Sequence, residues 1–388
     1  MSNQVKFFAS TQTGAPQLTG QEGSLISVLN SCLLNGFNPR AASTITRDGG
    51  TSTVTVDAGH GYRDHDIVEI SGASPEAYNG AWRIFNCTVN TFQFSIEGEP
   101  ATPATGTIGV KISPLGWESP FTGENKVVYR SKNVESNRLF LRVDENSIPG
   151  GTATNGYLTA SATVTMFENM TDVETGTGGT VGFWRKSDAA SATEKRWFII
   201  GDEKRFWIIT EFYAPHMSAQ FFGDILPFKA GDAYATLLCC YSQIGTWTPY
   251  GNFHADAISS IGIAAGWPGV SLARSYSQLG GTVLSRFVST AMSSATMGTS
   301  SSGLPFPNAA DNGLFVSPIL LLEAVGTFIA LRGVVPGLFC PLHAVHVVNG
   351  VQIVDDVSVN GKNRRLLFLR GSSNLENRIA FDITGSWE

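Results

Sequence analysis

Charge is what this chain has least of. Lys, Arg, Asp and Glu make up 15% of its 388 residues, against roughly 25% in an average soluble chain. The net balance is −6, which excludes a broad electrostatic footprint for nucleic acid. So little charge also leaves much uncharged surface, and such surface invites cover by other subunits. Cysteine is sparse and odd in number: Cys32, Cys87, Cys239, Cys240 and Cys340. Their spacings fit no zinc pattern, so reduced, buried thiols in a chain folded in a cytoplasm are expected. The start, MSNQVKFFAS, has no apolar core of the kind a signal peptide needs. No run is long and apolar enough for a membrane helix. The longest, Gly313 to Leu331, holds Pro318, Glu323 and Gly326 and is rich in β-favouring residues, so buried strands are expected there and no membrane insertion. Internal repeats are missing, apart from a weak echo of NRLFLRVDEN in RRLLFLRGSSN. That argues against the long repetitive shafts of fibres and spikes.

What the chain does have is glycine, 42 residues of it, with abundant Ser, Thr, Ala and Val, a composition suited to strands and turns. Residues 44–112 read as one small β module. Val54 and Val56 alternate with polar residues, as do Trp82 and Ile84, then Phe92, Phe94 and Ile96, then Ile108, Val110 and Ile112. Period two puts each set on one face of a strand. Gly-Gly, Gly-His-Gly, Asn-Gly and Pro-rich turns divide the sets. Asn38-Pro39-Arg40 and Ser113-Pro114 flank the module, which fits a separable insertion into a surrounding domain.

One helix is predicted, over 24–34. Ser24 is its candidate cap, Leu25, Ile26, Val28, Leu29, Cys32 and Leu33 form a wide apolar stripe, and Asn35-Gly36 stops it. The stripe predicts docking onto the chain's own core, or onto a neighbouring subunit. Further on, RWFIIGDEKRFWIITEFYA predicts a hairpin around Gly201-Asp202-Glu203, and ATLLCCYSQIG a buried strand. LFVSPILLLEAVGTFIALRG, HAVHVVNGVQIVDDVSV, RRLLFLRG and NRIAFDITGSWE predict more strands. The segment 289–307 is lowest in complexity, and an ordering contact from a neighbouring subunit is expected for it. The expected fold is therefore mainly β. It has β-sandwich-like domains, one short N-terminal amphipathic helix and an inserted small β module. Residues 1–43 join 113–388 in the main region, with a division into two subdomains near 230–310 as one option.

Four blocks carry a resemblance. GHGYRDHDIVEISGASPEAYNG with TVNTFQFSI and ATPATGTI looks like a β module of structural proteins of tailed bacteriophages. TGAPQLTGQEGSLISVLNSCLLNGF, PLGWESPFTGENKVVYRS and the MTDVETGTG region resemble a family encoded among virion genes of tailed phages and prophages. That family places a β module between the first two of these blocks, as here. LRGVVPGLFCPLHAVHVVNG and FDITGSWE are similar to its closing strands. The resemblance implies a virion structural protein and supplies no catalytic residues.

Several groups are candidates for chemistry. Cys340, His343 and His346 are metal-like, but on a strand the two histidines face opposite ways and a fourth ligand is missing. His60, Asp64, His65 and Asp66 cluster in GHGYRDHD, at a turn where such residues serve geometry and solvation. No G-x-S-x-G elbow is present, and pairing a serine with His216 or His254 would be arbitrary. Asp144, Glu145, Asp355 and Asp356 are the carboxylates a glycosidase would need across a groove. Trp184, Trp197, Trp207, Trp247, Trp267 and Tyr250 are candidates for stacking on host glycan, against core packing. Lys362, Arg364, Arg365 and Arg370 form a basic patch beside Asp355 and Asp356, expected to make ion pairs rather than contact DNA.

Taken together, no enzymatic activity, metal or cofactor is expected. The expected role is a virion component of the tail, tail tip or baseplate, whose partners are other copies of itself and neighbouring virion proteins. The alternatives are a host receptor-binding or fibre module and a capsid decoration protein.

Overall fold

The hairpin around Gly201 sets the architecture, because both of its faces are apolar. Strands Trp197–Gly201 and Arg205–Tyr213 pair antiparallel with Gly201 opposite Phe206. The Asp202 carboxylate closes the turn by accepting the backbone N–H groups of Lys204 (2.7 Å) and Arg205 (3.0 Å). Alternate residues then go to two different cores. Trp197, Ile199, Phe206, Ile208, Phe222, Leu238 and Cys240 enter one. Phe198, Ile200, Trp207, Ile209, Phe221, Leu237 and Cys239 enter the other. A sheet apolar on both faces must be covered on both, and here it is the middle layer of three.

The computed structural model describes residues 4–146, 160–214, 216–240, 269–288, 307–325, 328–343, 351–359, 361–370 and 378–387. Nearly all of the low-complexity segment at 289–307 lies outside them. The fold is mainly β and sandwich-like. The middle layer belongs to a 13-stranded antiparallel sheet that starts at Lys6–Ala9 and runs through the Gly201 hairpin to Val351–Val359 at its far edge. On one side lies a five-stranded meander from Trp117–Gly123 to Thr180–Arg185. Its Leu141, Val143, Val164, Met166 and Trp184 share a core with the first face of the long sheet. The Trp184 indole donates to Cys239 O at 3.0 Å, and the Trp117 indole to Asp202 O at 3.1 Å.

On the other side the long sheet curls onto itself. Leu226–Pro227 continues the strand His216–Asp224 and pairs with Phe328–Pro341, Leu226 opposite Val334. The strands between them pair in order: Thr236–Cys240, Gly269–Leu272, Val283–Val288 and Val316–Val325. The result is a closed ring. The described strands within 230–310, Thr236–Cys240, Gly269–Leu272 and Val283–Val288, all belong to this one sheet.

The small module is a second closed barrel. Its seven-stranded sheet begins with Phe37–Ala42 and ends with Thr44–Asp48, two halves of one bent strand. The first half pairs with Ile108–Ile112 and the second with Thr51–Thr55, so the wall closes without a free edge. The module sheet thus starts at Phe37 rather than at the expected residue 44. A strand interrupted by Pro39 reads as a linker in sequence, but its start and end pair with the last barrel strand. The core does not stop at the module. Barrel residues such as Ile84, Phe92 and Val110 are continuous with Leu33, Phe37 and Leu115 and with the sandwich interior. Polar latches reinforce the junction. Arg83 donates to Val5 O (2.9 Å) and Thr384 O (3.2 Å), and Lys6 Nζ to Ser113 Oγ (2.8 Å).

The helix docks between barrel and sandwich with its whole apolar stripe buried. It differs from expectation in two ways. Only Ser24–Leu29 is α-helical, and Asn30–Asn35 widens into a π-helical turn, closed by Gly36 N–H to Ser31 O at 2.8 Å. The carbonyls of Cys32 and Leu33 then accept N–H groups from Leu115 and Gly116. Ser24 does not cap the helix: its hydroxyl donates to Thr19 O at 2.8 Å. The Glu145 carboxylate does so instead, accepting Leu25 N–H (3.4 Å) and Ile26 N–H (2.9 Å).

The C-terminal strand is locked by one glycine. Gly337 has φ +69, and a Cβ there would stand 2.1 Å from Cε2 of the buried Trp387. Trp387 in turn donates its indole N–H to Asp382 O at 3.0 Å. Gly337→Ala is expected to displace Trp387 and destabilise the fold by about 3 kcal/mol, from overpacking plus φ strain. Thermal unfolding and a red shift of tryptophan emission check this. An unchanged melting temperature would refute it.

Candidate interaction surface

The residues nominated for chemistry scatter to structural tasks. His60 is buried inside the barrel. Its Nδ1 accepts Tyr62 N–H at 3.0 Å, so Nε2 carries the proton and donates to Thr91 O at 3.1 Å. Its ring stacks on Tyr62 (5.1 Å) and meets Phe92 edge-on (5.3 Å). Asp64 accepts Cys87 N–H at 2.8 Å, whereas Asp66 accepts Gln12 Nε2 (2.8 Å) and Arg63 N–H (2.9 Å). His65 occupies a left-handed turn position, φ +74. Four polar neighbours in sequence thus face four different surroundings.

Burial lowers both histidines and raises Asp66. It lowers His60 below 6.5, and it raises Asp66 from 3.8 to about 6 against the hydrogen bonds it accepts. For His60, whose folded value is depressed, the stabilising contribution is present above pH 6.5 and lost as pH falls through the folded value. For Asp66, whose folded value is raised, it is present below pH 3.8 and lost as pH rises through about 6. A proton NMR titration should find His60 neutral, protonated at Nε2, and titrating below 6.5. His60 titrating at or above 6.5 would contradict this account.

The other candidates are equally committed. Cys340 and His343 are buried, His343 stacks on Phe315 at 5.9 Å, and His346 lies outside the described residues. No group of three metal-ligating side chains occurs among the described residues. Asp144 pairs with Lys126 at 3.1 Å and Asp355 with Arg365 at 2.5 Å, while Asp356 accepts Asn363 Nδ2 at 3.2 Å. Glu145 makes a fully buried pair with Lys186, whose Nζ also donates to Gln21 O at 2.5 Å. Of the basic patch, Arg364 faces Asp382 at 3.5 Å and Lys362 is exposed. The side chain of Arg370 lies outside the described residues, as does that of His216. Trp184, Trp197 and Trp207 are core residues. Trp247, Trp267, Tyr250 and His254 lie outside the described residues. No helix among the described residues is long and apolar enough to cross a membrane.

The surface that stands out is on the ring. Phe228 (57% exposed), Tyr276 (56%), Leu279 (74%), Leu284 (65%) and Leu331 (51%) lie on its strands and connecting loops. They are five of the ten large exposed apolar residues among those described. Strand register joins Leu284 and Leu331. Leu322 stands opposite Leu331 on one side and Arg286 on the other, with Leu284 two positions along from Arg286. Phe228 N–H donates to Arg332 O at 2.9 Å, next to Leu331. Leu320, Leu322 and Val334 on the same outer face are half-buried. Their inward neighbours Ile319, Leu321 and Val335 are in the core. Within the described part of the long apolar run, Ile319 and Leu321 are buried whereas Leu320 and Leu322 are half-buried, where the sequence predicted burial.

A charged centre beneath this surface holds its loops. Buried Arg332 donates to Glu323 Oε2 (2.6 Å), Asp232 Oδ2 (2.7 Å) and Arg274 O (2.7 Å). Glu323 Oε2 also accepts Tyr276 N–H at 2.9 Å, and Lys229 Nζ donates to Tyr276 O at 3.3 Å. Arg274 lies over the Tyr234 ring at 4.1 Å and pairs with Glu168, Nε to Oε1 at 2.6 Å. Two loops, 228–235 and 273–282, are thereby tied to strand Phe328–Pro341. The position of Glu323 was a missed signal: it keeps the inward parity of Ile319 and Leu321. No protein-family model matches the chain, and no curated protein matches it.

Proposed function

We propose that this chain is a structural component of a tailed bacteriophage virion, associated with the tail or tail tip, acting by self-assembly and docking. The observation that carries the reading is the apolar outer face of the ring, held on a base of buried ion pairs. An open apolar area on a rigid support is the mark of an interaction site. The polar groups nominated for catalysis support the same reading where they are described, since their contacts are structural. The virion assignment itself leans on the phage-like blocks around 14–37, 59–112 and 114–131. Partners are other copies of the chain and neighbouring virion proteins. The test is to purify intact particles from a host carrying the gene, identify the chain in them and locate it by labelled electron microscopy. Tail-associated signal is expected. Particles that lack the chain, or that assemble and infect normally after its deletion, would overturn the reading.

A further inference from the structure

We infer that Gln12 and Asp66 form a proton-operated latch between the N-terminal turn and the barrel, shut while the Asp66 carboxylate is ionised and released when it takes up a proton. The geometry allows this latch one hydrogen-bonding polarity. Gln12 lies in the turn after strand Lys6–Ala9 and is buried. Its Oε1 accepts Ala9 N–H at 2.9 Å, so the amide end that faces the barrel is the Nε2 donor. That Nε2 donates to Asp66 Oδ1 at 2.8 Å, 54 residues along the chain. The other oxygen, Oδ2, accepts Arg63 N–H at 2.9 Å, and a backbone amide can only donate. Each carboxylate oxygen therefore faces a group that cannot accept. A carboxylate suits both donors. A carboxylic acid sets an O–H against one of them, and that hydrogen bond is lost.

The bond to Gln12 is the one that yields. Arg63 and Asp66 belong to one turn, which a second hydrogen bond, from Asp66 N–H to Arg63 O at 3.0 Å, keeps closed. The Gln12 side chain has no second tie to the barrel among the described residues. The surroundings favour the proton. Asp66 is 9% exposed and makes no ion pair among the described residues. Arg63 on its own turn and Arg365 from strand Lys362–Arg370 act on it from further away and favour the charge. Arg83, Cys87 and Tyr62 are the other titratable groups that feel it. Burial outweighs these influences and raises the carboxyl from 3.8 to about 6. As pH falls through about 6, the fold regains the stability that the buried charge had cost it, while the hold on the turn is released. No partner chain is needed, so the latch is independent of the assembly reading.

Ala9 N–H reports the state of the latch. Without the bond to Asp66, nothing keeps Gln12 Oε1 seated on it. Ser10 N–H, one residue on, donates to Trp197 O at 3.0 Å and is the internal reference. The test is amide hydrogen exchange of the purified full chain, read by NMR at about pH 7.5 and about pH 5 and expressed as protection over the unfolded rate. Ala9 protection should fall at least about tenfold at the lower pH, while Ser10 protection stays within about twofold. Asp66→Asn replaces one oxygen by an N–H donor and should hold Ala9 at the low protection at both pH values. His65→Asn removes a neighbouring titratable group at an exposed, left-handed position that asparagine tolerates, and should keep the full response. The wild-type comparison stands even if a variant fails to fold. Equal Ala9 protection at both pH values in the wild type, a pH response that survives Asp66→Asn, or one that disappears with His65→Asn overturns the latch.

Discussion

Glu145→Ala is expected to destabilise the fold by about 3–5 kcal/mol, the usual consequence of removing one partner of a buried ion pair. Both side chains of the Glu145–Lys186 pair are fully buried. Removing the carboxylate leaves the Lys186 ammonium with Gln21 O as its remaining named partner. It also frees Leu25 N–H and Ile26 N–H at the helix start, 120 and 119 residues away along the chain. Losing a helix cap adds about 1 kcal/mol. The helix sits between barrel and sandwich, so the loss should spread to both. A second variant separates charge from packing. Glu145→Leu with Lys186→Met removes both charges and keeps most of the volume, and should recover at least half of the lost stability. Urea unfolding followed by tryptophan emission measures all three chains. A single variant within 0.5 kcal/mol of wild type, or a double variant no more stable than Glu145→Ala, would show that the pair contributes little. (The 0.5 kcal/mol bound is about the scatter of neutral surface changes.)

That node shows where reading the sequence succeeds and where it stops. Local signals were enough for the Gly201 hairpin, because its two arms alternate and its turn residues lie between them. They were enough for the helix stripe as well. They were not enough for its cap. Ser24 stands where a cap belongs, yet a carboxylate from a distant strand takes the place. Nothing within a turn of Glu145 marks it for that contact. Barrel closure was hidden for the same reason. Leu226 meets Val334, and Phe37 meets Ile112, through pairings that no short-range pattern records. The polar cluster at 60–66 misled in the opposite direction: adjacency in sequence suggested a shared site, but an irregular stretch with a turn at Asp64–His65 sends the four side chains apart. The candidate surface was half visible. The apolar run with Glu323 inside it was evident, and its doubled apolar faces were read as burial on both sides. Among the described residues, Ile319 and Leu321 are buried and Leu320 and Leu322 only half-buried.

Arg332→Leu is the variant expected to do most damage on the ring. It leaves Glu323 and Asp232 as two buried carboxylates without the cation that both contact, 2.6 and 2.7 Å away in the wild type. Like charges in a dry site repel, and burial opposes ionisation of each, so a loss of about 3–5 kcal/mol is expected. Arg332→Lys should recover only part of it. An ammonium is a single point charge and cannot span both carboxylates and Arg274 O as the planar guanidinium does. A neutral set of partners distinguishes a charge effect from a simple cavity. Adding Glu323→Gln and Asp232→Asn to Arg332→Leu should recover part of the loss, and no recovery would mean that lost packing, not unbalanced charge, sets the penalty. Hydrogen exchange supplies the local readout. Tyr276 N–H, held by Glu323 Oε2, should lose protection before the strands around it, because the guanidinium that positions its acceptor is gone. The loops that present Phe228, Tyr276 and Leu279 would then be loosened.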